Sequence, residues 1–600
     1  MMLWVASWNA DDALRRRTTA ALSSMDATFP SLQQGPATSS SWEGPSHISL
    51  VRGPEDGGAK ADLGPEVCSI VDGFAIVDGA RILQPVDLSA SPGPEPDRLD
   101  GQFGIVRATP SSLTVTTDFL GVRGLYWCRA GRTTLVANDV EVLARITGAT
   151  ALDPEGVAHF ASMGWVLGRR TLCAGVERVP DGVRWSWNGA APEPDRRTYF
   201  RRSTLAGRRS PLDARRLAGD LQSRLRAIDE TVDTMRCPLS GGLDSRVIMA
   251  LLRSAGIDAE YFTQGNPDSG DVVAAEQLAA MLGLRHQVAV QSPNDVSEQW
   301  EAVSKQIVEQ NDGMVSLWQS ADAVRTDRLR DSGSAIMYGL GGGAGRGRLT
   351  TWRSLTWRKH GEAAEWLQRR PSSGGGLLTP RCAASARAHL GAFVARTADE
   401  GFSPPEVPDA FYLFERETGY GAANARKVGY LGPVFVPYFT RPFIESAFSL
   451  SPAKRFSEPI HFELLGLLDR RLQDFGVERG YWHSQAPYLN LVRHRWHRKA
   501  RMMVGLERRR PKARVGLLDQ AAWIETMRAS LRERYLDERA SDLWEFVDRS
   551  AFEAVMAEGA GDRRRLLGGT LLDVFTLFDY ERFRSGAPRL DVASEPAPGG

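Results

Sequence analysis

The first two hundred residues alternate between short mixed runs and turn-forming residues. Runs such as GIVR at 104–107 and LTVTT at 113–117 combine apolar and polar side chains, and Gly, Pro and Asp separate them. This pattern is typical of β-strands, because successive strand side chains point to opposite faces. The segments 35–60 and 89–96 are rich in Pro and Gly, so we predict loops there.

The periodicity changes near residues 201–211. Beyond that point apolar residues recur at helical spacing, first in the segment that begins at Leu212. We therefore divide the chain into domains 1–205 and 206–585. The remaining tail, 586–600, is rich in Pro, Gly and Ala, and we predict that it is disordered.

Four short elements in the second domain follow the order strand, helix, strand, helix. They are predicted at residues 234–239, 247–252, 259–263 and 272–282. This order is a βαβα unit, which builds a parallel sheet that binds ligands at the carboxyl ends of its strands. A ligand site is therefore expected where the first strand ends.

The link between the first strand and its helix reads PLSGGLDSR, residues 238–246. Two glycines allow a tight turn, and the helix start directs N–H groups and a positive dipole end at the turn, which favours an anion. Ser240 and Ser245 add hydroxyl donors, and Asp244 is a candidate Mg²⁺ ligand. The segment lacks the Gly-Lys-Ser/Thr ending of the Walker loop, so it predicts a different phosphate site; an ordinary strand-to-helix turn is the alternative.

Composition excludes several classes of protein. The 600 residues carry a net charge of +1, so no overall field attracts nucleic acid or an anionic membrane. Five scattered cysteines without a C-x-x-C pair argue against a disulfide framework or a structural zinc site and fit a reducing compartment. No signal peptide and no apolar stretch long enough to span a bilayer is found. We expect a cytoplasmic protein without nucleic-acid or membrane partners.

Three parts of the chain together resemble the asparagine synthetase superfamily. The first is the loop at 238–246, and the second is the segment 271–286. The third comprises DGQFG at 100–104, DFLGVRGLYW at 118–127 and TLCAGVERVPDG at 171–182. The resemblance implies an α/β protein with an N-terminal αββα Ntn-hydrolase-like sandwich, a degenerate glutaminase. It also implies a C-terminal adenine-nucleotide α-hydrolase-like (PP-loop) parallel-sheet domain with many helices.

The sequence departs from this family at the glutaminase nucleophile. The family uses a cysteine at the mature N-terminus, whereas Met2 and Leu3 follow the first residue here. Without a thiolate no glutaminyl thioester can form. The resemblance therefore implies a retained fold without glutaminase chemistry, so the amine for amide formation must come with the substrate.

Two segments are similar to the lasso peptide cyclases of this superfamily. GNPDSGDVVA at 265–274 fits a Gly-x-Pro-Asp-x-x-Asp-Val signature, and GLGGGAGRG at 339–347 fits a G-x-G-G-x-x-x-R-G form. The resemblance implies a ligase that uses ATP and Mg²⁺. It would adenylate an internal Asp or Glu side chain of a leader-processed peptide and join it to the peptide's N-terminal amine, releasing AMP and PPi.

The implied partners are the precursor (core) peptide, a leader-binding protein and a leader peptidase. Three alternatives remain open for the function. The first is a β-lactam synthetase, and the second is an asparagine synthetase-like ligase for small molecules. The third is a non-catalytic scaffold that binds a precursor peptide.

Two further departures concern acidic residues. The acidic pair of asparagine synthetases aligns with Gly343 and Ala344, which removes a carboxylate expected to bind Mg²⁺. The Glu of the β-lactam synthetase dyad falls on Pro433. We predict that Glu415 and Glu417, just upstream, are surface carboxylates on a helix; replacement of the missing Glu is the alternative.

The predicted site combines the loop chemistry with the resemblance. Asp244 and Arg346 are the predicted catalytic residues, and Asp244 is also the predicted metal ligand. Arg346 follows a glycine-rich turn that would bring its charge to the phosphates. The predicted ATP-binding residues are Leu239, Ser240, Gly241, Gly242, Asp244, Ser245, Thr263, Gly339, Gly341 and Gly342.

Three remaining features are predicted to be structural. His286 would close a helix end with a hydrogen bond, and Cys237 would be a small buried apolar residue. The basic run at 493–510 is predicted to be a solvated helix face, with binding of phosphate or an acidic peptide as its alternative.

Overall fold

The structure is a computed structural model. It describes residues 2–28, 38–41, 46–52, 59–90, 93–189, 191–265, 267, 269–290, 300–317, 333–429, 431–475, 524–525, 527–536 and 541–586. The basic run at 493–510 and the tail beyond 586 lie outside these residues, as do Asn266 and Asp268 of the Gly-x-Pro-Asp segment.

The strands of the first two hundred residues are β1 Met2–Trp8, β2 Thr38–Ser41, β3 Ser46–Arg52, β4 Ala59–Leu63, β5 Cys68–Val77, β6 Arg81–Ile82, β7 Leu99–Thr109, β8 Ser112–Thr117, β9 Tyr126–Ala130, β10 Thr133–Ala137, β11 Glu177–Arg178, β12 Val183–Asn188 and β13 Asp195–Thr198. The helices of this part are α1 Asp12–Thr28, α2 Pro85–Ala90, α3 Val140–Thr147 and α4 Pro154–Met163.

The strands that follow are β14 Thr234–Pro238, β15 Ala259–Gly265, β16 His286–Val290, β17 Ser334–Met337 and β18 Val434–Phe435. The accompanying helices are α5 Ala214–Asp229, α6 Leu243–Ser254, α7 Gly270–Leu282, α8 Trp300–Gln310, α9 His360–Gln368, α10 Pro380–Asp399, α11 Val407–Phe411, α12 Ala422–Val428, α13 Arg441–Ser449, α14 Pro452–Arg455, α15 Pro459–Leu468, α16 Arg470–Asp474, α17 Arg528–Leu536, α18 Arg549–Met556 and α19 Gly561–Gly586. A π-helical segment, Tyr412–Gly421, joins α11 to α12.

The first two hundred residues form two stacked antiparallel sheets. The strand orders are β11-β9-β10-β1-β3-β2 and β13-β12-β8-β7-β5-β4, with β6 beside β5. Side chains from both sheets, among them Trp4, Trp8, Val106 and Trp187, form the core between them. Helices α1 and α3 pack on the outer face of the first sheet, and α2 packs on the second. This αββα arrangement confirms the fold predicted for the N-terminal part.

The second half contains a parallel sheet of order β16-β15-β14-β17-β18 in the described residues. The chain starts at the central strand β14, moves outward through β15 and β16, and then returns to the other side of β14 with β17. The point where the order reverses lies at the carboxyl end of β14, which is where such sheets bind ligands. The predicted parallel-sheet domain is confirmed.

The predicted elements around this point agree closely with the structure. The strand predicted at 234–239 ends one residue earlier, at Pro238, and the helix predicted at 272–282 begins two residues earlier, at Gly270. Ser269 caps that helix by accepting a hydrogen bond from the Val272 N–H at 3.3 Å.

The loop predicted at 35–60 is wrong. It contains β2 and β3 and the start of β4, and β3 pairs with the full length of β1 from Met2↔Arg52 to Trp8↔Ser46. The Gly and Pro residues of the segment lie mostly outside the seven-residue strand SHISLVR. The Gly and Pro content of the whole segment therefore hid the short alternation of apolar and polar residues within this strand.

The two halves are joined by buried polar contacts. The Gln102 side-chain N–H groups donate to the Val436 and Phe439 carbonyls at 3.2 and 3.1 Å, and Gln102 Oε1 accepts from the Val436 N–H at 2.8 Å. Arg224 Nε lies 2.6 Å from Asp100 Oδ2. The boundary at residue 205 stays a prediction, but β13 ends at Thr198 and α5 begins at Ala214, on either side of it.

Candidate active site

The predicted phosphate loop connects β14 to α6 and is held by its own side chains. The Ser240 N–H donates to Ser245 Oγ at 3.2 Å, and the Gly242 N–H donates to Ser240 Oγ at 3.1 Å. Gly242 is the N-cap of α6 and contributes no capping side chain. Arg246, which is fully buried, donates to the Gly241 carbonyl at 3.2 Å. The loop is therefore shaped before any ligand binds.

A carboxylate already lies at this loop. Asp271, in the first turn of α7, accepts a hydrogen bond from the Gly241 N–H at 2.9 Å. Backbone N–H groups at a turn before a helix bind anions readily. The contact shows that the loop presents an N–H group to negative charge, as its sequence predicts. Sequence analysis included Asp271 in a motif but assigned it no contact.

A cavity of about 210 Å³ opens beside the loop, at the carboxyl ends of β14 and β15. Its lining residues are Pro238, Leu239, Ser240, Phe262, Thr263, Gln264, Asp271, Tyr338, Lys427, Val428 and Leu431. Apolar walls with a few polar groups are typical of small-molecule sites. The lining suits a nucleotide, because it combines apolar side chains for a base with a lysine for phosphate.

Three of the predicted ATP-binding residues, Leu239, Ser240 and Thr263, line this cavity. Thr263 also connects neighbouring strand ends, because its Oγ1 donates to the Leu239 carbonyl at 2.7 Å and lies 2.8 Å from His286 Nε2. Lys427 was not predicted from the sequence. It lies on α12, far along the chain from the loop, and no motif surrounds it.

His286 is structural, but not as predicted. It begins β16 and contacts Thr263, whereas α7 ends at Leu282 and is capped by Gly283 in the left-handed conformation, with φ of 63°. Burial lowers the pKa of His286 below its usual range, although Glu276 opposes that shift. Cys237 is fully buried, as predicted.

The second glycine-rich segment packs against the start of α6. A Cβ at Gly339 would contact the Ser245 nitrogen at 3.4 Å, and one at Gly342 would overlap Asp244 Oδ1. Gly341 has a φ of 82° and lies against the Phe439 ring. These three glycines therefore let the segment 339–347 approach the loop at 238–246 closely. None of the three lines the 210 Å³ cavity.

Asp244 is engaged through both carboxylate oxygens. Oδ1 lies 2.8 Å from His461 Nε2, and Oδ2 accepts from Arg346 Nη2 at 2.9 Å. The Tyr438 hydroxyl donates to the Asp244 backbone carbonyl at 2.6 Å. Burial would raise the pKa of Asp244, but Arg346 and His461 outweigh it and hold the pKa below its usual range. The two predicted catalytic residues thus meet, across a separation of 102 positions.

The residues around Asp244 do not fit a protein-held Mg²⁺. Mg²⁺ bound together with a nucleotide needs only one or two protein carboxylates, so the fit depends on Asp244 and on the two positions of the acidic pair. Gly343 and Ala344 supply no acid, and the Tyr412 hydroxyl fills the space in front of Gly343. Asp244 itself faces a guanidinium and an imidazole, which compete with a cation.

Glu415 and Glu417 are not surface residues, so that prediction is wrong. Both lie on the π-helical segment, with 2% and 0% of their side chains exposed. Glu415 lies 3.1 Å from His389 Nε2 and accepts from the Gly168 N–H at 2.9 Å. Burial would raise its pKa, but the hydrogen bond and charge of His389 lower it below the usual range.

Glu417 pairs with Arg416, and its Oε2 has no hydrogen-bond partner in the described part of the chain. Burial raises the pKa of Glu417 despite Arg416. The prediction assumed a regular α-helix, which would place these two acids on the solvent face. The π-helical segment has more residues per turn, so it places them on a buried face.

The N-terminal sandwich contains no activated thiol. Met2 begins β1 and is 1% exposed. All five cysteines are free and buried, and burial raises the pKa of Cys128 to about 12 and that of Cys173 to about 11. Asp72 is enclosed by Arg123 at 2.7 Å and by Trp4 Nε1 at 3.0 Å. These groups satisfy one another and supply no nucleophile.

Residues 230–343 match the family model described as asparagine synthase. The matched segment contains the loop at 238–246, the strands β14 and β15 beside the 210 Å³ cavity, and most of the glycine-rich segment at 339–347. The match supports an ATP-dependent amide ligase chemistry of the asparagine synthetase type for this part of the chain.

Two solved structures align with 12% identity. The glutamine phosphoribosylpyrophosphate amidotransferase of B. subtilis, complexed with ADP and GMP, covers 48% of this chain and 65% of its own, with a TM-score of 0.22. The alignment with the allosteric regulatory enzyme of purine biosynthesis covers 48% of this chain and 64% of that enzyme, with a TM-score of 0.23. The chain spans less than two thirds of either protein. No curated protein matched the chain.

Among the described helices, none combines the length and apolar character that a membrane span requires.

Proposed function

We propose that the protein is a lasso peptide cyclase. It would use ATP to adenylate an internal Asp or Glu side chain of a leader-processed core peptide and then join that carboxyl to the peptide's N-terminal amine. AMP and PPi would leave, and the isopeptide bond would close a macrolactam ring. The observation that carries the proposal is a loop that resembles those of adenylating enzymes beside a cavity of about 210 Å³, combined with a sandwich in which Met2 and every cysteine are buried.

The residues of the chain suggest a division of tasks. The 210 Å³ cavity would hold ATP, with Lys427 and the loop N–H groups at its phosphates. Asp271 would leave the Gly241 N–H when a phosphate oxygen takes its place. Catalysis would rest on positioning and charge neutralisation, because phosphoryl and adenylyl transfers need little covalent help from a protein.

Cavities between the two halves support a peptide substrate. One, of about 510 Å³, is walled by parts of 167–181 in the sandwich and by α10 and the π-helical segment in the second half. A second, of about 90 Å³, shares Arg170, Arg178 and Thr418 with the first. It reaches Arg426 and Gly429, which flank the nucleotide-cavity residues Lys427 and Val428.

A degenerate sandwich would then serve as one wall of the substrate site. Holding both ends of one peptide in such a site would contribute ~7–11 kcal/mol through effective molarity. The proposed pathway partners are a leader-binding protein and a leader peptidase, which would deliver the peptide with a free amine.

The test presents the purified protein with ATP, Mg²⁺ and the co-encoded core peptide without its leader. We expect a product one water lighter than the substrate, AMP formed in equal amount, and resistance of the product to carboxypeptidase. The same peptide with an acetylated N-terminus is the control, since it lacks the amine and should not cyclise.

Two other outcomes would replace the proposal. AMP formation with a free amino acid, but no dehydration of the peptide, would identify a small-molecule synthetase of the β-lactam or asparagine synthetase kind. ATP binding without AMP formation on either substrate would identify a scaffold that binds the precursor.

A further inference from the structure

Arg346 and Asp244 form a closed, oriented pair at the start of α6. The guanidinium and carboxylate side chains are 18% and 25% exposed, and the Nη2–Oδ2 distance is 2.9 Å. His461, fully buried, occupies the other carboxylate oxygen. In such a partly desolvated position a charged hydrogen bond fixes geometry as well as charge.

The glycines of the second loop make this pair possible. A side chain at Gly342 would overlap Asp244 Oδ1 and approach His461 Nε2 to 3.2 Å. The same turn carries Arg346 four positions later, in the short 3-10 helix Gly342–Arg346. The close approach of Gly342 therefore sets Arg346 directly beside the phosphate loop.

The position of the lost acidic pair is filled, not vacant. A Cβ at Gly343 would overlap the Tyr412 hydroxyl and lie 3.0 Å from Arg348 Cβ. A carboxylate cannot be accommodated there without moving Tyr412, which is 5% exposed. The site has exchanged a second carboxylate for a phenol and a nearby arginine.

Arg346 retains hydrogen-bonding capacity for a ligand. Its side chain is 18% exposed while Nη2 donates to Asp244, and it is this exposed part that can meet a ligand, because Nε is buried and has no hydrogen-bond partner among the described residues. A guanidinium anchored through one nitrogen presents its other N–H groups in a fixed plane, which suits phosphate oxygens.

We propose that Asp244 is a positioning residue for Arg346, and that this anchored guanidinium replaces a protein-held Mg²⁺ at the leaving pyrophosphate. Metal would enter only as MgATP, held by the nucleotide's own oxygens. Arg346 would be the catalytic residue, and Asp244 would act through it. This inference rests on the proposed adenylation, but it separates the role of the protein from that of the metal.

The first experiment does not depend on enzymatic activity. Mn²⁺ is added to the ATP-free protein, and free Mn²⁺ is counted by electron paramagnetic resonance. We expect no stoichiometric site. One tight Mn²⁺ per chain that disappears in Asp244→Asn would overturn the proposal, whatever the substrate proves to be.

The second experiment is a double-mutant cycle on AMP formation with saturating MgATP. Arg346→Gln should lower kcat by ~10²–10³-fold with little change in KM for ATP, because a charge donor aimed at the leaving group acts in the transition state. Asp244→Asn should cause a similar loss, and the double variant should be no worse than the more damaged single variant. The free Mg²⁺ needed for half-maximal rate should stay unchanged in all three.

Arg353→Gln, an exposed arginine seven positions away, is the matched control and should keep the parental rate. Multiplicative losses in the cycle, or a raised Mg²⁺ requirement confined to variants of Asp244, would assign Asp244 to the metal. If the parent protein forms no AMP at all, the proposed function fails, whereas a tight Mn²⁺ site that is lost in Asp244→Asn would overturn this inference by itself.

Discussion

Arg426 makes two buried ion pairs, and the one with Asp139 joins the two halves of the molecule. Its Nη2 lies 2.6 Å from Asp139 Oδ2, and its Nη1 lies 2.6 Å from Asp312 Oδ2. Both carboxylate side chains are 0% exposed. Asp139 also caps α3 by accepting from the Val142 N–H at 2.9 Å. The substitution Arg426→Gln would remove the charge and leave both carboxylates in place.

The magnitude follows from the two carboxylates, which do not contribute equally. Burial raises the pKa of Asp312 to about 7, although Arg426 lowers it. At pH 6 Asp312 is therefore mostly protonated and loses little when Arg426 is removed. Leaving one buried charge unpaired typically costs ~3–5 kcal/mol. We expect the free energy of unfolding to fall by that amount at pH 6, mainly because of Asp139.

The loss should grow as pH rises. The folded pKa of Asp312 lies above its ordinary value of 3.8. Between these values the folded state holds a proton that the unfolded chain releases, so stability declines with rising pH and the decline ends above the folded pKa. Without Arg426 the folded pKa moves higher, and the variant should lose up to ~1.4 kcal/mol more per pH unit above 7.

The assay is urea unfolding of parent and variant at pH 6, 7 and 8, followed by tryptophan fluorescence. The exposed control Arg353→Gln should change the free energy of unfolding by less than ~0.5 kcal/mol. A loss below ~1 kcal/mol at every pH, as for a surface ion pair, would refute the reasoning. A large loss that does not depend on pH would refute the role given to Asp312.

Three further predictions concern the candidate site. Because Met2 and all five cysteines are buried, purified protein should release no glutamate from glutamine; release above a heat-denatured blank would contradict this. Gly343→Asp restores an acid but should lower the free energy of unfolding by ~1–3 kcal/mol, because the new side chain overlaps Tyr412, and it should not raise AMP formation. A variant that melts like the parent and forms AMP faster would show that the space is available. Lys427→Gln should raise KM for ATP by ~10–100-fold, the value of a charged hydrogen bond, whereas Lys359→Gln on an exposed turn should leave it unchanged; equal KM values in the two variants would remove Lys427 from the nucleotide site.

Local pattern was sufficient for the elements that build the site. Apolar residues around the loop, helical spacing after it and the glycine pair predicted β14, β15 and α7 within two residues at both ends, whereas α6 begins four residues before its predicted start. This works because strand and helix periodicities reflect which face is buried, and because a Gly-Gly turn before a helix leaves few backbone alternatives. The same reasoning failed at 46–52, where a short strand lay inside a Gly- and Pro-rich stretch.

Side-chain partners were beyond such reasoning. The sequence indicated that Asp244 and Arg346 belong to one site, but not that the carboxylate would pair with that arginine and, across 217 positions, with His461. A carboxylate after a phosphate loop is equally compatible with a metal ion. Which cation it meets depends on how closely Gly342 and α15 approach, and that is decided by packing.

The sequence by itself thus determined the fold of both halves and the place of the loop between β14 and α6. Each of these depends on residue type and on near neighbours along the chain. Only the tertiary structure decided that Glu415 and Glu417 are buried, that Lys427 lines the 210 Å³ cavity and that Asp244 pairs with Arg346. These outcomes depend on contacts between distant segments, because electrostatic and steric terms act through space and leave no periodic trace in the sequence.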